Sequence, residues 1–309
     1  MPLEQTFAVY AEYEGYRLDH FLAVIYPELS RAFFQKLIRS GQVQLSGKNL
    51  KPSYLVKEGD LITVRIPPAV GIQIQAEDIP LDILYEDEDL LIVNKPKGMV
   101  VHPAPGHDTG TLVHAVMYHC KDQLSGINGE IRPGIVHRID KDTTGSLVIC
   151  KNDFAHGKLA EQLKAHSVTR RYRGIVIGCP KEDCGTIRAA IGRDPKNRLK
   201  MACNVSNGRP AVTHYRVLER FEHYAYLEFE LETGRTHQIR VHMADLGYPL
   251  LADPLYGPAK CSFRGLQGQC LHAMTLGFIH PRTEAYVEFL APLPAYFTKL
   301  LHVLGAKET

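Results

Sequence analysis

One short stretch of the chain combines side chains that can do chemistry on a charged substrate: His137-Arg138-Ile139-Asp140-Lys141-Asp142-Thr143-Thr144-Gly145. Within it, the carboxylate of Asp140 follows the guanidinium of Arg138 by two residues and adjoins the ammonium of Lys141. Nearby positive charge favours the ionised carboxylate, and the same basic setting suits a partner that carries phosphates. On composition alone, a charged turn with a structural ion pair is the simpler interpretation.

Two strands are predicted to hold this stretch in place. Ile135 and Val136 precede it, and the apolar run Leu147-Val148-Ile149-Cys150 follows it. The polar residues between them then form a short loop, which Gly145 closes.

The whole stretch resembles the catalytic signature of the RluA/RluD family of RNA pseudouridine synthases. Ile139 stands where that family usually has Leu, and Thr144 where it usually has Ser; both changes keep the size or the hydroxyl. The resemblance implies an α+β catalytic domain, with a mixed, largely antiparallel sheet and flanking helices. It also implies that Asp140 is the catalytic carboxylate, and that His137 and Arg138 contact the substrate, with Arg138 filling the gap or holding the backbone when a nucleotide flips out.

A second group lies on a predicted strand, Thr169 to Ile177, in which Arg170, Arg171 and Arg173 surround Tyr172. An aromatic side chain among cationic ones is a platform for stacking a nucleobase while phosphates are held nearby. A tyrosine packed in the core explains the pattern equally well. Tyr172 matches the active-site tyrosine of the family, and we expect Arg170 and Arg171 to contact RNA.

A third group contains His237, Arg240 and His242. The two histidines are five positions apart with no Glu between them, which excludes the usual helical zinc-protease motif. Arg240 matches the family arginine that pairs with the catalytic aspartate, the alternative being a surface arginine on a helix. Leu271, in another block that resembles the family, is expected to line the base pocket.

The segment around Arg240 predicts a helix. Thr236 is the expected N-cap and Gly247 the expected residue just past the C-terminal end. The residues expected to face the core are Ile239, Met243 and Leu246.

No cofactor and no metal are expected. The reaction implied is an isomerisation, and the chain shows neither a glycine-rich phosphate loop nor clean metal-ligand spacing. Asp140 would attack C1′ or the base, or remove the proton at C2′; the sequence does not choose among these. A glycosidase pair of Asp140 with Asp142 is disfavoured, because residues two apart on an extended segment point to opposite faces.

The N-terminal part predicts two helices followed by short strands, with Ser30 as N-cap and Gly41 ending the second helix. Between Arg31 and Lys57 there are six Lys/Arg and no acids. Residues 16–66 resemble the αL RNA-binding domain named after a small-subunit ribosomal protein. The side chains of this domain expected to contact RNA are Arg31, Lys36, Arg39 and Lys48.

The 309 residues, with a net charge of only +2, allow a large and a small domain. We expect an RNA-binding domain over residues 1–68, a linker over 69–80 and a catalytic domain over 81–309. A basic segment, Arg193 to Arg209, predicts a surface loop or hairpin that contacts RNA. Seven cysteines without paired spacing indicate reduced thiols, and neither a signal peptide nor a membrane span is expected, so the predicted location is the cytoplasm.

These observations predict an enzyme that converts uridine to pseudouridine in RNA, most naturally in large-subunit ribosomal RNA. One alternative keeps the chemistry and changes the substrate to transfer RNA or to several RNAs. A second alternative is a non-catalytic RNA-binding or ribosome-assembly factor, which has no use for Asp140. A sugar hydrolase is the weakest alternative.

Overall fold

The computed structural model describes residues 3–27, 29, 31–66, 74–104, 106–121, 123–127 and 132–306. The chain divides into two compact units, Met1–Ile72 and Gln73–Thr309. Residues 69–73 of the expected linker, and the expected N-cap Ser30, lie outside the described residues. Residues 74–80 have no regular secondary structure.

The first unit packs two helices, α1 (Leu18–Ile25) and α2 (Arg31–Arg39), against an antiparallel sheet. Its strands lie in the order β1-β4-β2-β3, with these bounds: β1 Leu3–Ala8, β2 Val43–Leu45, β3 Lys48–Asn49 and β4 Leu61–Ile66. The apolar stripes of both helices meet the sheet, with Phe21 and Phe34 fully buried. Gly41 has φ +74° just past α2, as expected for a helix-ending glycine.

A buried carboxylate ties the two helices of this unit together. Asp19, whose side chain is fully buried, accepts hydrogen bonds from Arg17, Arg31 and Gln35. Burial raises the pKa of Asp19, but these hydrogen bonds lower it more, so the group stays ionised. Arg31, which was expected to contact RNA, therefore also stabilises the packing of its own unit.

The second unit is built on a nine-stranded sheet in the order β5-β6-β7-β14-β8-β13-β12-β9, with β15 paired to β14. Its strands are β5 Ile83–Glu86, β6 Leu90–Lys95, β7 Thr144–Cys150, β8 Thr169–Ile177, β9 Cys184–Arg188, β12 Val212–Arg220, β13 Tyr224–Leu231, β14 Leu271–Ile279 and β15 Tyr286–Leu290. A separate hairpin pairs β10 Ile191–Arg193 with β11 Met201–Cys203. The helices are α3 Leu112–Cys120, α4 Asp153–Lys164, α5 Gln238–Asp245 and α6 Ala295–Leu304.

The large sheet is mixed: β7 and β14 run parallel, and the other strand pairs are antiparallel. This confirms the expected α+β class with a mixed, largely antiparallel sheet. Strand β7 is buried along its whole length, which accounts for its uninterrupted apolar run.

Gly145 is required where β7 passes β14. Its φ is +109°, and a Cβ at this position would overlap the backbone of Ala273. The strand predicted before the signature stretch does not form, because Ile135 makes only an isolated bridge to Ile149. The signature loop is therefore held by irregular chain on one side and by β7 on the other.

None of the helices in the described part of the chain is long and apolar enough to cross a membrane. All seven cysteines are free thiols.

Candidate active site

Arg240 joins two carboxylates from distant parts of the chain. Its Nη1 donates to Oδ2 of Asp140 at 2.9 Å, while its Nε and Nη2 donate to the two oxygens of Asp253 at 2.7 and 2.9 Å. The Arg240 side chain is 5% exposed and that of Asp253 is fully buried, whereas Asp140 is 17% exposed. Burial lowers the pKa of Arg240, but the two carboxylates raise it more, so the guanidinium keeps its charge.

Asp140 faces a small cavity of about 50 Å³ that adjoins a cleft of about 340 Å³. Tyr172, Leu271 and Arg138 line the cavity together with Asp140 and Arg240. The structure therefore brings together an ion pair, an aromatic ring, an apolar side chain and an exposed guanidinium from distant parts of the sequence.

Lys95 fixes the loop that carries Asp140. This lysine, at the end of β6, is 1% exposed and donates from Nζ to the carbonyl oxygens of Pro96, Met99 and Lys141 at 2.8–2.9 Å. Because Lys141 follows Asp140 directly, the bond to its carbonyl holds the loop on the sheet. Burial lowers the pKa of Lys95 to about 7, although the charges of Asp142 and Asp140 oppose this.

Strand β8 presents Tyr172 and Arg170 to one side of the sheet and Arg171 to the other, as alternation requires. Tyr172 is 8% exposed and lines the cavity, and burial raises its pKa, so the phenol stays protonated. Arg170 lines the adjoining cleft, and its Nη2 donates to the carbonyl oxygens of Leu231 and Glu232. Arg171 lies in another cleft, beside Glu230 at 3.4 Å, away from Asp140.

His137 and Arg138 have different surroundings. His137 accepts a hydrogen bond at Nε2 from the backbone N–H of Val148, and burial lowers its pKa to about 3. Its imidazole is therefore neutral and serves the packing of β7, while it also lines the cleft. Arg138 is exposed and borders both the cavity and the cleft.

Comparisons with known proteins identify the family of this chain. The model of the family described as RNA pseudouridylate synthase matches residues 89–245. The chain is 53% identical over 293 residues to an uncharacterized RNA pseudouridine synthase of Bacillus subtilis, covering 95% of each. This chain belongs to the RNA pseudouridine synthase family. It is an enzyme that isomerises uridine to pseudouridine in RNA.

Three further comparisons extend the likeness. A protein of Zymomonas mobilis named ribosomal large subunit pseudouridine synthase D is 48% identical over 314 residues, covering 98% of each chain. The solved structure of human RNA pseudouridylate synthase domain containing 1 superposes with a TM-score of 0.59 at 26% identity, covering 75% of this chain and 97% of that one. The S4 domain model matches residues 17–62, which confirms the ribosomal-protein resemblance of the first unit.

Helix α5 of the synthase begins differently from the expectation. It starts at Gln238, and its N-cap is His237 in the left-handed region at φ +57°, not Thr236. The Gln238 side chain does not cap α5, because its Oε1 accepts from the hydroxyl of Thr233 and the N–H of Arg235, which both precede the helix. These bonds hold the turn that leads into α5, and the N-cap His237 makes no side-chain capping bond.

The core face of α5 is shorter than expected. Ile239 and Met243 are buried, as predicted, but Leu246 is 43% exposed. The helix ends before Leu246, and Gly247 then turns the chain at φ +88°. Leu246 therefore lies past the point at which the helical spacing applies.

The sequence analysis did not predict a role at the site for Lys95, Asp253 or Tyr256, and it considered His237 only for the excluded zinc-protease motif. His237 has Nε2 3.9 Å from Oδ1 of Asp140, and its Nδ1 contacts the Tyr256 hydroxyl at 2.9 Å. The guanidinium of Arg240 also lies 5.2 Å from the centre of the Tyr256 ring. The sequence does carry one signal for Asp253, since it is a charged residue within a largely apolar segment.

Among the described residues, one group of ligating side chains lies close enough to hold a metal: Asp87, Asp89 and His280. Arg282 already holds both oxygens of Asp89, at 2.6 and 2.7 Å. His280 accepts backbone N–H groups at Nδ1 and so donates from Nε2 to Asp87 at 2.8 Å. These bonds account for the cluster, which is not part of the cavity around Asp140.

Proposed function

We propose that the synthase isomerises specific uridines of large-subunit ribosomal RNA, with Asp140 as the catalytic carboxylate. The observation that carries the role of Asp140 is its 2.9 Å ion pair with the buried Arg240 at the wall of a cavity. The ribosomal substrate is supported by the name of the Zymomonas mobilis relative and by the S4 domain. Such a substrate implies that the enzyme works in the cytoplasm.

The reaction breaks the bond between C1′ and N1 of uridine, turns the base, and joins C1′ to C5. C5 loses its hydrogen and N1 gains a proton, so no external reactant is consumed. Asp140 either attacks C1′ or the base, or removes the proton at C2′. In each case it acts as a carboxylate, and its Oδ2 accepts a charge-assisted hydrogen bond from Arg240 at 2.9 Å.

The remaining side chains receive roles from their positions around Asp140. Tyr172 stacks on the flipped uracil and Leu271 packs against its edge, since both line the cavity. Arg138 holds the displaced backbone or fills the gap in the RNA, and Arg170 lies beside the same path. The pocket must be entered by an unstacked nucleotide, at a cost of a few kcal/mol.

The RNA is also held by exposed cations away from the cavity. In the S4 domain Lys36, Arg39 and Lys48 are exposed, and Arg31 is about half exposed although it contacts Asp19. Arg171 lies on the opposite face of the large sheet from Tyr172 and is proposed as a peripheral contact. Neutralised phosphates release counterions, which gives affinity independent of RNA sequence.

The test measures tritium released from RNA labelled at C5 of uridine, using ribosomal and transfer RNA pools separately. We expect release from ribosomal RNA by wild type and none by Asp140→Asn, which should bind that RNA with near-normal affinity. Release from transfer RNA alone would contradict the ribosomal substrate. Unchanged release by Asp140→Asn would contradict the role of Asp140.

A further inference from the structure

The Tyr256 hydroxyl determines which nitrogen of His237 carries the proton. Within the part of the chain that the structure describes, this hydroxyl has two hydrogen-bond partners, the Met201 N–H at 2.8 Å and His237 Nδ1 at 2.9 Å. It accepts from the first, so its own proton has an acceptor only when Nδ1 is unprotonated. Burial lowers the pKa of His237, which keeps the imidazole neutral. The proton of the ring therefore sits on Nε2.

His237 thus presents a hydrogen-bond donor to the oxygen of the catalytic carboxylate that Arg240 does not contact. Oδ2 of Asp140 is taken by Arg240, whereas Oδ1 lies 3.9 Å from Nε2 of His237. That separation is too long for a direct hydrogen bond. A donor and an acceptor consequently face each other across a gap at the wall of the cavity.

The position of His237 is held against a conformational cost. Its φ of +57° is in the left-handed region, which a residue other than glycine rarely adopts. As the N-cap of α5 it makes no side-chain capping bond. Instead its ring meets the Tyr256 ring edge-on, with centroids 5.7 Å apart, and the Tyr256 ring lies 5.2 Å from the guanidinium of Arg240. Strain of this kind persists at sites where function requires the geometry.

A hydroxyl group fits a gap between a donor and an acceptor, because it accepts one hydrogen bond and donates another. Asp140 reacts at or next to C1′ in two of its three possible roles, and the hydroxyl nearest to C1′ of a nucleotide is the 2′-hydroxyl. We propose that His237 is a specificity-determining residue that donates to the 2′-oxygen of the flipped nucleotide, whose hydroxyl in turn donates to Asp140. The assignment rests on the function proposed above.

Tyr256 is then a positioning residue. It holds His237 as the Nε2–H tautomer, and it receives the backbone N–H of Met201 on β11, in the basic hairpin. The 2′-hydroxyl is what distinguishes RNA from DNA at a single position. The chain of hydrogen bonds from Met201 through Tyr256 to His237 therefore selects a ribonucleotide at the reacting position itself.

The experiment compares two forms of the shortest ribosomal RNA hairpin that wild type modifies, with uridine or 2′-deoxyuridine at the target. Wild type should lose about ten- to hundredfold in kcat/KM on the deoxy form, the usual effect of leaving buried polar groups unpaired. His237→Leu should be slower on the ribo form and should discriminate at least about fivefold less. His237→Gln, which keeps an amide donor, should retain more of the discrimination between the ribo and deoxy forms. Both variants carry the conformational cost of the positive φ at position 237, so this cost does not separate them.

Nitrogen-15 NMR of the imidazoles tests the tautomer without turnover. Wild type should show Nδ1 of His237 unprotonated and Nε2 protonated, and Tyr256→Phe should show a mixture of tautomers and weaker discrimination. Tyr248→Phe, at a half-buried tyrosine packed on the core elsewhere, is the matched control. A protonated Nδ1 in wild type, or equal discrimination by wild type, His237→Leu and His237→Gln, overturns the proposal. Failure of wild type on every RNA instead contradicts the proposed function, and the 2′-hydroxyl assignment falls with it.

Discussion

At the scale of single residues, Arg240 is the side chain on which the site depends. It donates two hydrogen bonds to Asp253 and one to Asp140, so its single positive charge compensates much of the negative charge of the two carboxylates. A lysine could not replace it, because an ammonium lacks the planar fork that meets Asp253 with two donors while a third reaches Asp140. Asp253 thus anchors the guanidinium, and among the described residues Oδ1 of Asp140 has only His237 near it, at 3.9 Å.

Replacing this arginine separates catalysis from binding. In Arg240→Met, turnover should fall far more than RNA affinity, because Asp140 loses its ion-pair partner while the exposed cations remain. The free energy of unfolding should fall by about 3–5 kcal/mol, since the fully buried carboxyl group of Asp253 loses its cation partner. Tritium release, RNA binding and urea unfolding measure the three quantities. Equal decreases in turnover and RNA affinity would show that Arg240 only contacts the RNA backbone.

A second substitution separates the structural part of this effect from the catalytic part. Adding Asp253→Asn to Arg240→Met removes the stranded charge and keeps the shape of the side chain. The free energy of unfolding should then recover in large part, whereas turnover should stay low. Recovery of both would assign the low turnover to misfolding.

At the scale of elements, Lys95 connects the end of β6 to the loop that carries Asp140. Its Nζ donates to three carbonyl oxygens in a region from which water is excluded. Burial favours the neutral amine, whereas the hydrogen bonds and the nearby charges of Asp142 and Asp140 favour the ammonium. The lowered pKa of Lys95, about 7, shows that burial outweighs those charges.

This shift predicts a pH dependence of stability. An unfolded lysine has a pKa of about 10.4, so between about pH 7 and 10 the unfolded chain binds more protons than the folded one. The stabilising contribution of Lys95 to the free energy of unfolding is fully present above the pKa of the unfolded lysine. It is lost as the pH falls through the folded pKa of about 7. The difference in unfolding free energy between wild type and Lys95→Met should therefore move in favour of wild type as the pH rises.

Urea unfolding of both proteins at several pH values across this range measures the difference. Lys158→Met, at an exposed lysine of α4, controls for the removal of a surface charge. A wild-type to Lys95→Met difference that does not change with pH would contradict the burial of the ammonium.

The signature stretch was enough to predict Asp140, and resembling blocks were enough to predict Arg240, Tyr172 and Leu271 at one cavity. Each of these lies where a local pattern is distinctive. Asp253 could not be predicted, because its importance comes from its bonds to Arg240 and not from its own neighbours in sequence. The donor role of His237 depends on Tyr256 and on a backbone N–H of another strand, which no spacing rule contains.

Helix α2 is a second example of what residue spacing in the sequence cannot predict. Arg31 and Gln35 are four residues apart and so share one stripe of this helix, but both side chains turn to Asp19 on α1. Residues that share a stripe therefore need not share a function. The prediction of Thr236 as the N-cap of α5 was wrong for a related reason, because the turn before the helix is held by bonds to the Gln238 side chain, which no N-cap pattern contains.

At the scale of the whole molecule, an S4 domain and a synthase domain share one chain. Covalent linkage makes the second contact with the same RNA an intramolecular one, which raises its effective concentration. A protein with a net charge of only +2 can bind a polyanion in this way, because its cations are concentrated in short segments. Affinity and chemistry can then be changed independently, by substitutions in different units.

The exposed cations of α2 supply the last prediction. Lys36→Gln with Arg39→Gln should weaken RNA binding and lower the slope of log affinity against log salt by about 0.7–0.9 for each phosphate that is no longer neutralised. Arg31 is left intact, because its bond to the buried Asp19 would mix a change in stability with a change in binding. Arg65→Gln, at a half-exposed arginine 3.2 Å from Glu4 in the same unit, is the matched control and should leave the slope unchanged. RNA binding measured over a salt series tests this prediction. A slope equal to that of wild type would show that Lys36 and Arg39 do not contact the RNA, and would assign the affinity to the synthase domain.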